Sequence, residues 1–188
     1  LPIALGILAA SGQIDGSRLT GYEFAGELSL TGALHPIRGA LAMAMALQSS
    51  PDPTIRATRL VLPPVNAEEA ALVPDCEVYR AEHLMDVVRQ FQPTPDMVDE
   101  SLDGWSRIIS QPIILDTALP DMADVKGQAG AKRAMEIAAA GGHSVLLSGP
   151  PGSGKSMLAQ RFATLLPPMS RTEALESAAI GSLGGRFR

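Results

Sequence analysis

The stretch LLSGPPGSGKSML, Leu146 to Leu158, decides the fold of the second half of the chain. Residues 149–156 match the pattern G-x-x-x-x-G-K-[ST] in full. The apolar run SVLLS at 144–148 predicts a short buried strand before this loop. Gly154 to Leu165 predicts a helix after it. A glycine-rich loop between a strand and a helix is typical of a phosphate-binding loop.

The loop and the start of its helix hold the candidate binding residues. Glycines let the backbone curl with its N–H groups pointing inward, and the helix start adds a positive dipole end. Lys155 would place an ammonium beside the β- and γ-phosphates, and Ser156 would offer its hydroxyl to Mg²⁺. We therefore expect ATP and Mg²⁺ as cofactors; the alternative is a glycine-rich turn that binds nothing. The candidates are Gly149, Pro150, Pro151, Gly152, Ser153, Gly154, Lys155, Ser156 (also the Mg²⁺ ligand, through ATP) and Met157.

Hydrolysis needs an acidic residue at the end of a later strand, and usually an arginine from a neighbouring subunit. The acids after Ser156 are Glu173 and Glu176, in the stretch SRTEALESAAIG, which predicts a helix start. No apolar strand ending in Asp-Glu follows the loop. The sequence therefore predicts a nucleotide-binding segment that supplies no catalytic residue.

His143 follows two glycines just before the expected nucleotide strand. We expect it to cap the preceding helix; the alternative is that it contacts bound phosphate.

Composition indicates a folded chain in two parts. Of 188 residues, 46% are hydrophobic and 19% charged. Residues 1–100 carry 6 Lys and Arg against 13 Asp and Glu, a net of −7, whereas 101–188 carry 9 against 7, a net of +2. This shift fits two domains and argues against a broad basic surface for nucleic acid in the first half.

Cysteine usage and hydropathy indicate a compartment. The single cysteine, Cys76, cannot form an internal disulfide, which points to a reducing environment. No apolar run approaches the ~18–20 residues of a membrane span. We expect a cytoplasmic protein without a membrane partner. Because the sequence begins at Leu1 inside an apolar run, we also expect it to be a fragment of a longer protein.

Residues 1–92 alternate between helical and strand patterns, which predicts an α/β or α+β unit. Residues 93–122 contain prolines and acids without sustained periodicity and predict a linker, with Trp105 and Ile108 docking it onto a domain. Residues 123–188 form the expected second domain. The predicted elements are helices at 2–11, 39–48, 81–91 and 127–142, strands at 22–30 and 58–64, and an edge strand at 77–80.

The second domain resembles a known family. The stretch DVKGQAGAKRAMEIAAAGGHSVLLSGPPGSGKSMLAQRFATLLPP, 124–168, closely resembles the opening of the AAA+ module in the magnesium-chelatase-like family. The resemblance implies that the segment Val125-Lys126-Gly127-Gln128 packs near the adenine, which makes Val125 a further candidate cofactor-binding residue. It also implies that the chain holds the N-terminal part of a P-loop NTPase domain.

The first half indicates the branch of this family. YEFAGELSLTGALHPIRGALAMAMAL with RLVLPPVNAEEAALVP is similar to the proteolytic domain of Lon, a fold shared with domain 2 of ribosomal protein S5. Proteins of the ComM/YifB branch carry such a domain ahead of the AAA+ module, whereas chelatase ATPase subunits do not. The implied fold is α/β: an S5/Lon-like domain followed by the start of a P-loop ATPase domain.

The resemblance to Lon does not extend to its catalytic pair. Ile3 stands where Lon has its nucleophilic serine, and Leu41 stands where Lon has its lysine. An isoleucine cannot attack a carbonyl and a leucine cannot act as a base. We therefore expect a structural or partner-binding domain and no protease.

The ComM/YifB resemblance implies a hexameric, ATP-driven motor that translocates on DNA and drives branch migration in natural transformation. The implied partners are nucleotide, further copies of the chain and DNA. Two other readings stay open: an ATPase subunit of a magnesium chelatase, or a non-catalytic nucleotide-binding or interaction fragment.

Overall fold

The computed structural model describes residues 1–93, 104–109 and 120–185, so most of the predicted linker lies outside the described residues. The described residues fall into two compact units: one holds the residues up to Ile109 together with those from Arg171 onward, and the other runs from Pro120 to Ser170.

The first unit contains a four-stranded sheet in the order β1-β4-β5-β6. The pairs β1–β4 and β4–β5 are parallel and β5–β6 is antiparallel, while β2 and β3 form a separate antiparallel pair. The strands are β1 (Tyr22–Phe24), β2 (Glu27–Leu28), β3 (Leu34–His35), β4 (Arg59–Leu62), β5 (Val78–Ala81) and β6 (Trp105–Ile108).

Helices cover both faces of this sheet. The strand alternation of β4 places Leu60 and Leu62 in the core with α2 and α4, and Val61 in a second core with α1 and α5. The first-unit helices are α1 (Pro2–Ala10), α2 (Ala40–Gln48), α3 (Pro53–Arg56), α4 (Pro64–Ala70), α5 (Leu84–Gln90) and α8 (Arg171–Leu183), with a 3-10 turn at Gly16–Leu19.

Two strand predictions and the linker prediction differ from the structure as follows. The predicted strand at 22–30 is divided into β1 and β2, which belong to different sheets. The strand predicted at the edge, 77–80, is β5 and lies between β4 and β6. Its second neighbour, β6, comes from the predicted linker: Trp105 docks as expected, and it does so as part of a strand paired with β5.

The helix α8 packs within the first unit, although the sequence analysis assigned it to the second domain. Leu175, Ala178 and Ala179 pack against the core that includes Leu41 and Ala44 of α2. The small side chains on α2 and α8 let the two helices approach closely. The division of the whole chain into domains stays a prediction.

The second unit contains α6 (Ala129–Gly141), α7 (Lys155–Phe162) and 3-10 turns at Met122–Asp124 and Ala163–Leu165. Its core consists of Met122, Val125, Met135 and Leu158. The predicted helix is confirmed as α6, and Gly142 ends it in a left-handed conformation with φ of 63°.

The buried strand predicted at 144–148 is wrong for this structure. Residues 143–150 form no strand, and Leu146 is 94% exposed. A strand requires a hydrogen-bonding neighbour, and the described part of the second unit contains no other strand to supply one. The apolar pattern is present, but its partner is not among the described residues.

The mixed α/β class predicted from the sequence is confirmed by these elements. The assignments to an S5/Lon-like fold and to a P-loop fold stay predictions. The position expected for the Lon serine, Ile3, is 82% exposed on α1, whereas Leu41 is fully buried in α2.

Asn66 gives a test of the first unit. Its side chain is buried, accepts from the Ile37 N–H at 2.8 Å and donates to the Ile37 carbonyl at 3.0 Å, so it fixes the turn that leads into α2. Asn66→Ala leaves two backbone groups unpaired, and we expect the free energy of unfolding to fall by about 1–3 kcal/mol. Urea unfolding followed by the fluorescence of Trp105, the single tryptophan, measures this loss.

Gln13→Ala is the matched control, because the exposed Gln13 side-chain amide donates to the exposed Ser11 hydroxyl at 3.0 Å. It should change the free energy of unfolding by no more than about 0.5 kcal/mol. Equal, small effects of both substitutions would contradict the role given to Asn66.

Candidate nucleotide-binding site

The loop from Gly149 to Lys155 joins residues 143–148, which form neither helix nor strand, to α7. Gly152 and Gly154 adopt left-handed conformations, with φ of 78° and 83°. An L-residue with a side chain pays about 1–2 kcal/mol for such a conformation, so the loop favours glycine at both positions. The backbone therefore favours glycine at two of the candidate positions, and their contact with phosphate stays a prediction.

Lys155 folds its side chain over the loop. Its Nζ donates to the carbonyl oxygens of Gly149 at 2.9 Å and Pro150 at 2.7 Å, and lies 3.3 Å from the Ser153 Oγ. The ammonium is therefore held at the mouth of the loop by acceptors of the loop itself. These neutral acceptors can be exchanged for a stronger anionic one, since charged pairs make the stronger hydrogen bonds.

The first turn of α7 faces the same region. Gly154 precedes the helix and provides no side-chain cap. The N–H groups in the first turn of a helix have no acceptor within the helix, and they carry its positive dipole end. Ser156 lies in this turn and is exposed, so its hydroxyl is accessible. Lys155, Ser156 and the helix start thus lie together at the end of the loop, and their contact with a nucleotide stays a prediction.

Two of the other candidates lie deeper in the unit. Val125 is 2% exposed and packs with Met122, Met135 and Leu158, so its side chain belongs to the core. Met157 is half-buried and packs against the same core. A contact between Val125 and a nucleotide stays a prediction. The backbone N–H of His143 donates to the Ala138 carbonyl at 2.8 Å, which confirms its place at the end of α6.

The sequence pattern did not predict the contacts of two side chains that hold this site together, Arg161 and Gln128. Arg161 of α7 donates from Nε to the Asp121 carbonyl at 3.0 Å. Gln128 donates from Nε2 to the Ser153 carbonyl at 3.4 Å. Nothing in the local pattern marks Arg161, because its partner lies 40 residues earlier in the chain. Asp121 can be recognised from the local sequence as a residue that begins a helical turn. Its carboxylate accepts from the Ala123 N–H, as the residue before a helix commonly does.

The first unit contains a cavity of about 430 Å³ that is lined in part by Cys76, Glu77 and Arg107. Burial raises the pKa of the Cys76 thiol, so this cysteine stays protonated and weakly nucleophilic at neutral pH. Glu77 and Arg107 approach each other to 3.9 Å. The charges at this cavity therefore balance locally, and the loop of the second unit is the better candidate for an anion site.

Comparison with known proteins shows which protein family the chain resembles. The family described as magnesium chelatase, subunit ChlI, matches residues 121–188, and the family described as subunit ChlI of Mg-chelatase matches residues 1–66. The chain is 45% identical to YifB of Salmonella typhimurium over 184 residues, 42% to the competence protein ComM of Haemophilus influenzae over 191, and 40% to YifB of Escherichia coli over 185.

Each of these alignments covers 97% of the chain and 33–34% of the relative, so the chain spans about a third of the length of the curated relatives it matches. It belongs to the magnesium-chelatase-like family, in the branch that contains ComM and YifB. The resemblance inferred from the motifs is thereby confirmed.

No helix among the described residues is both long enough and apolar enough to cross a bilayer.

Gly154 provides a test of the loop geometry. A Cβ at this position would lie 3.1 Å from Nε2 of Gln128 and 3.3 Å from Cε of Met157, in a backbone with φ of 83°. We expect Gly154→Ala to destabilise the second unit by about 1–2 kcal/mol, as a left-handed L-residue does. Hydrogen exchange of the α6 and α7 amides measures the stability of this unit directly.

Gly130→Ala makes the same change inside α6, where an added Cβ meets nothing within 4 Å. We expect it to stabilise the unit by about 0.5–1 kcal/mol. If both substitutions shift exchange in the same direction, the left-handed geometry at Gly154 is wrong.

Proposed function

We propose that the second unit binds ATP with Mg²⁺ at the loop Gly149–Ser156. The single observation that carries the proposal is the convergence of the left-handed glycines, the Lys155 ammonium and the uncapped start of α7 on one loop. Such a combination is a ready site for phosphate. Membership of the magnesium-chelatase-like family supports the same proposal.

The residues fit the nucleotide. Gly152 and Gly154 present backbone without side chains, so phosphate oxygens can approach the loop N–H groups. Lys155 would exchange the Gly149 and Pro150 carbonyls for phosphate oxygens, and the Ser156 hydroxyl would be available to the metal that accompanies them. When bound, Mg²⁺ would neutralise part of the phosphate charge.

We assign no hydrolytic residue to this chain. The acids after Ser156, Glu173 and Glu176, lie on α8, which packs in the first unit. We propose that the longer protein is a cytoplasmic AAA+ ATPase whose hydrolytic residues lie elsewhere in its sequence. The chain contributes the phosphate loop to it.

For the longer protein we propose a hexameric motor that translocates on DNA, as in the ComM/YifB branch. The support is the 42% identical match over 97% of this chain to the competence protein ComM, which includes both units. Protease activity is not part of the proposal, because Ile3 and Leu41 stand at the positions of the Lon pair. An ATPase subunit of a magnesium chelatase is the second candidate, favoured by the names of both matching families.

Lys155→Ala tests nucleotide binding by the chain itself. The variant loses one charge-assisted contact to phosphate, so we expect the affinity for ATP·Mg²⁺ to fall by about ten- to a hundredfold. Equilibrium dialysis with labelled ATP measures it. Lys132→Ala removes the same charge from α6 and should leave the affinity unchanged. Equal affinities for the Lys155 variant and the unaltered chain would contradict the proposed site.

The role in DNA processing is tested on the full-length protein. We expect single-stranded or branched DNA to stimulate its ATP hydrolysis, and Lys155→Ala to abolish both basal and stimulated rates, since the phosphates lose their cationic partner. A coupled ATPase assay with and without DNA gives the result. Hydrolysis indifferent to DNA would reject the DNA motor and favour the chelatase-like alternative.

A further inference from the structure

Arg161 connects α7 to the turn that begins at Asp121. Its Nε donates to the Asp121 carbonyl at 3.0 Å, and a terminal nitrogen lies 3.8 Å from the Asp124 carboxylate. A second terminal nitrogen donates to the Met157 carbonyl at 3.4 Å, one turn earlier in α7. The Arg161 side chain is 18% exposed, so most of the guanidinium is shielded from water. The turn is thereby fixed to the helix that carries Lys155 and Ser156.

The same segment is held at its other end by Gln128. The side-chain amide of Gln128 donates to the Ser153 carbonyl of the phosphate loop at 3.4 Å. Gly127 and Gln128 both adopt left-handed conformations, with φ of 68° and 53°, and turn the chain sharply into α6. Segment 121–128 therefore borders the loop at Gln128 and is tied to α7 at Asp121.

Between these two ends the segment rests on the core. Met122 and Val125 are buried and pack with Leu158 of α7. Lys126 and Gly127 are exposed, in contrast to the buried Met122 and Val125. A nucleotide whose phosphates occupy the loop must place its nucleoside on a neighbouring surface, and segment 121–128 provides one in contact with the loop.

We propose that Arg161 is a positioning residue for base recognition. By fixing segment 121–128 to α7, it sets the distance between the phosphate loop and the segment on which we place the base. Hydrogen-bond recognition of a base requires donors and acceptors placed to within about 0.5 Å, which a segment held at one end only does not maintain. This inference rests on the proposed binding of ATP at the loop.

We expect Arg161 to affect the recognition of the base and to leave the binding of the phosphates unchanged. Arg161 makes no hydrogen bond to the loop Gly149–Ser156, so the binding of phosphates alone does not depend on it. Inorganic tripolyphosphate with Mg²⁺ is therefore the probe for the loop, and ATP and GTP are the probes for the base. A purely structural role of Arg161 would change the affinities for all three ligands together.

The experiment measures the affinities of the chain for these three ligands by equilibrium dialysis. For Arg161→Ala we expect an unchanged affinity for tripolyphosphate, a loss of about tenfold for ATP, and an ATP-to-GTP preference reduced by the same factor. Arg161→Lys, which retains the charge and one donor, should lie between the variant and the unaltered chain. The lysine variant also allows the comparison of affinities if the alanine variant does not fold.

Arg133→Ala is the control, since Arg133 is an exposed arginine of the same unit whose partner is Glu136. It should change none of the three affinities. A parallel loss of affinity for tripolyphosphate and ATP in the Arg161 variants, or no loss for either, would overturn the positioning role while the loop site stands. An unaltered chain that binds neither ligand would reject the loop site itself, and the inference with it.

Discussion

At Gly152 and Gly154 the backbone passes through left-handed conformations and leads into α7. The turn places the Lys155 ammonium over the loop carbonyls and leaves the start of the helix without a side-chain cap. Each feature of the candidate site follows from this backbone. A side chain at either position would oppose it sterically, so the chemistry of the site depends on the absence of two Cβ atoms.

The two units differ in how they are stabilised. The first unit has a sheet with helices on both faces, and its buried Asn66 ties the turn before α2 to α4. The second unit has a small core of Met122, Val125, Met135 and Leu158 and no strand among its described residues. Side-chain hydrogen bonds therefore contribute more to its structure: those of Arg161 and Gln128 join segments that are distant in sequence. This explains why the site depends on residues outside the loop motif.

The sequence pattern predicted the elements whose formation depends on residues that are near one another in the chain. The helices α5 and α6 follow from apolar spacing, α1 and α2 follow from their helix-favouring composition, and the glycine loop with α7 follows from its motif. Features that need a distant partner were not predictable. The apolar stretch at 144–148 resembles a strand but has no neighbour among the described residues, β5 is interior because Trp105–Ile108 pairs with it, and Arg161 finds its acceptor at Asp121. Such pairings depend on tertiary contacts, which a sequence pattern does not contain.

The most direct test of the central claim, that the loop of the second unit is the phosphate site, is amide chemical-shift mapping of the chain as ATP·Mg²⁺ is added. The account predicts that the largest shifts occur at Gly152, Gly154, Lys155 and Ser156, where the N–H groups meet phosphate. The amides around the first-unit cavity at Cys76 should not respond. Shifts confined to that cavity, or no shifts at the loop at saturating nucleotide, would contradict the account.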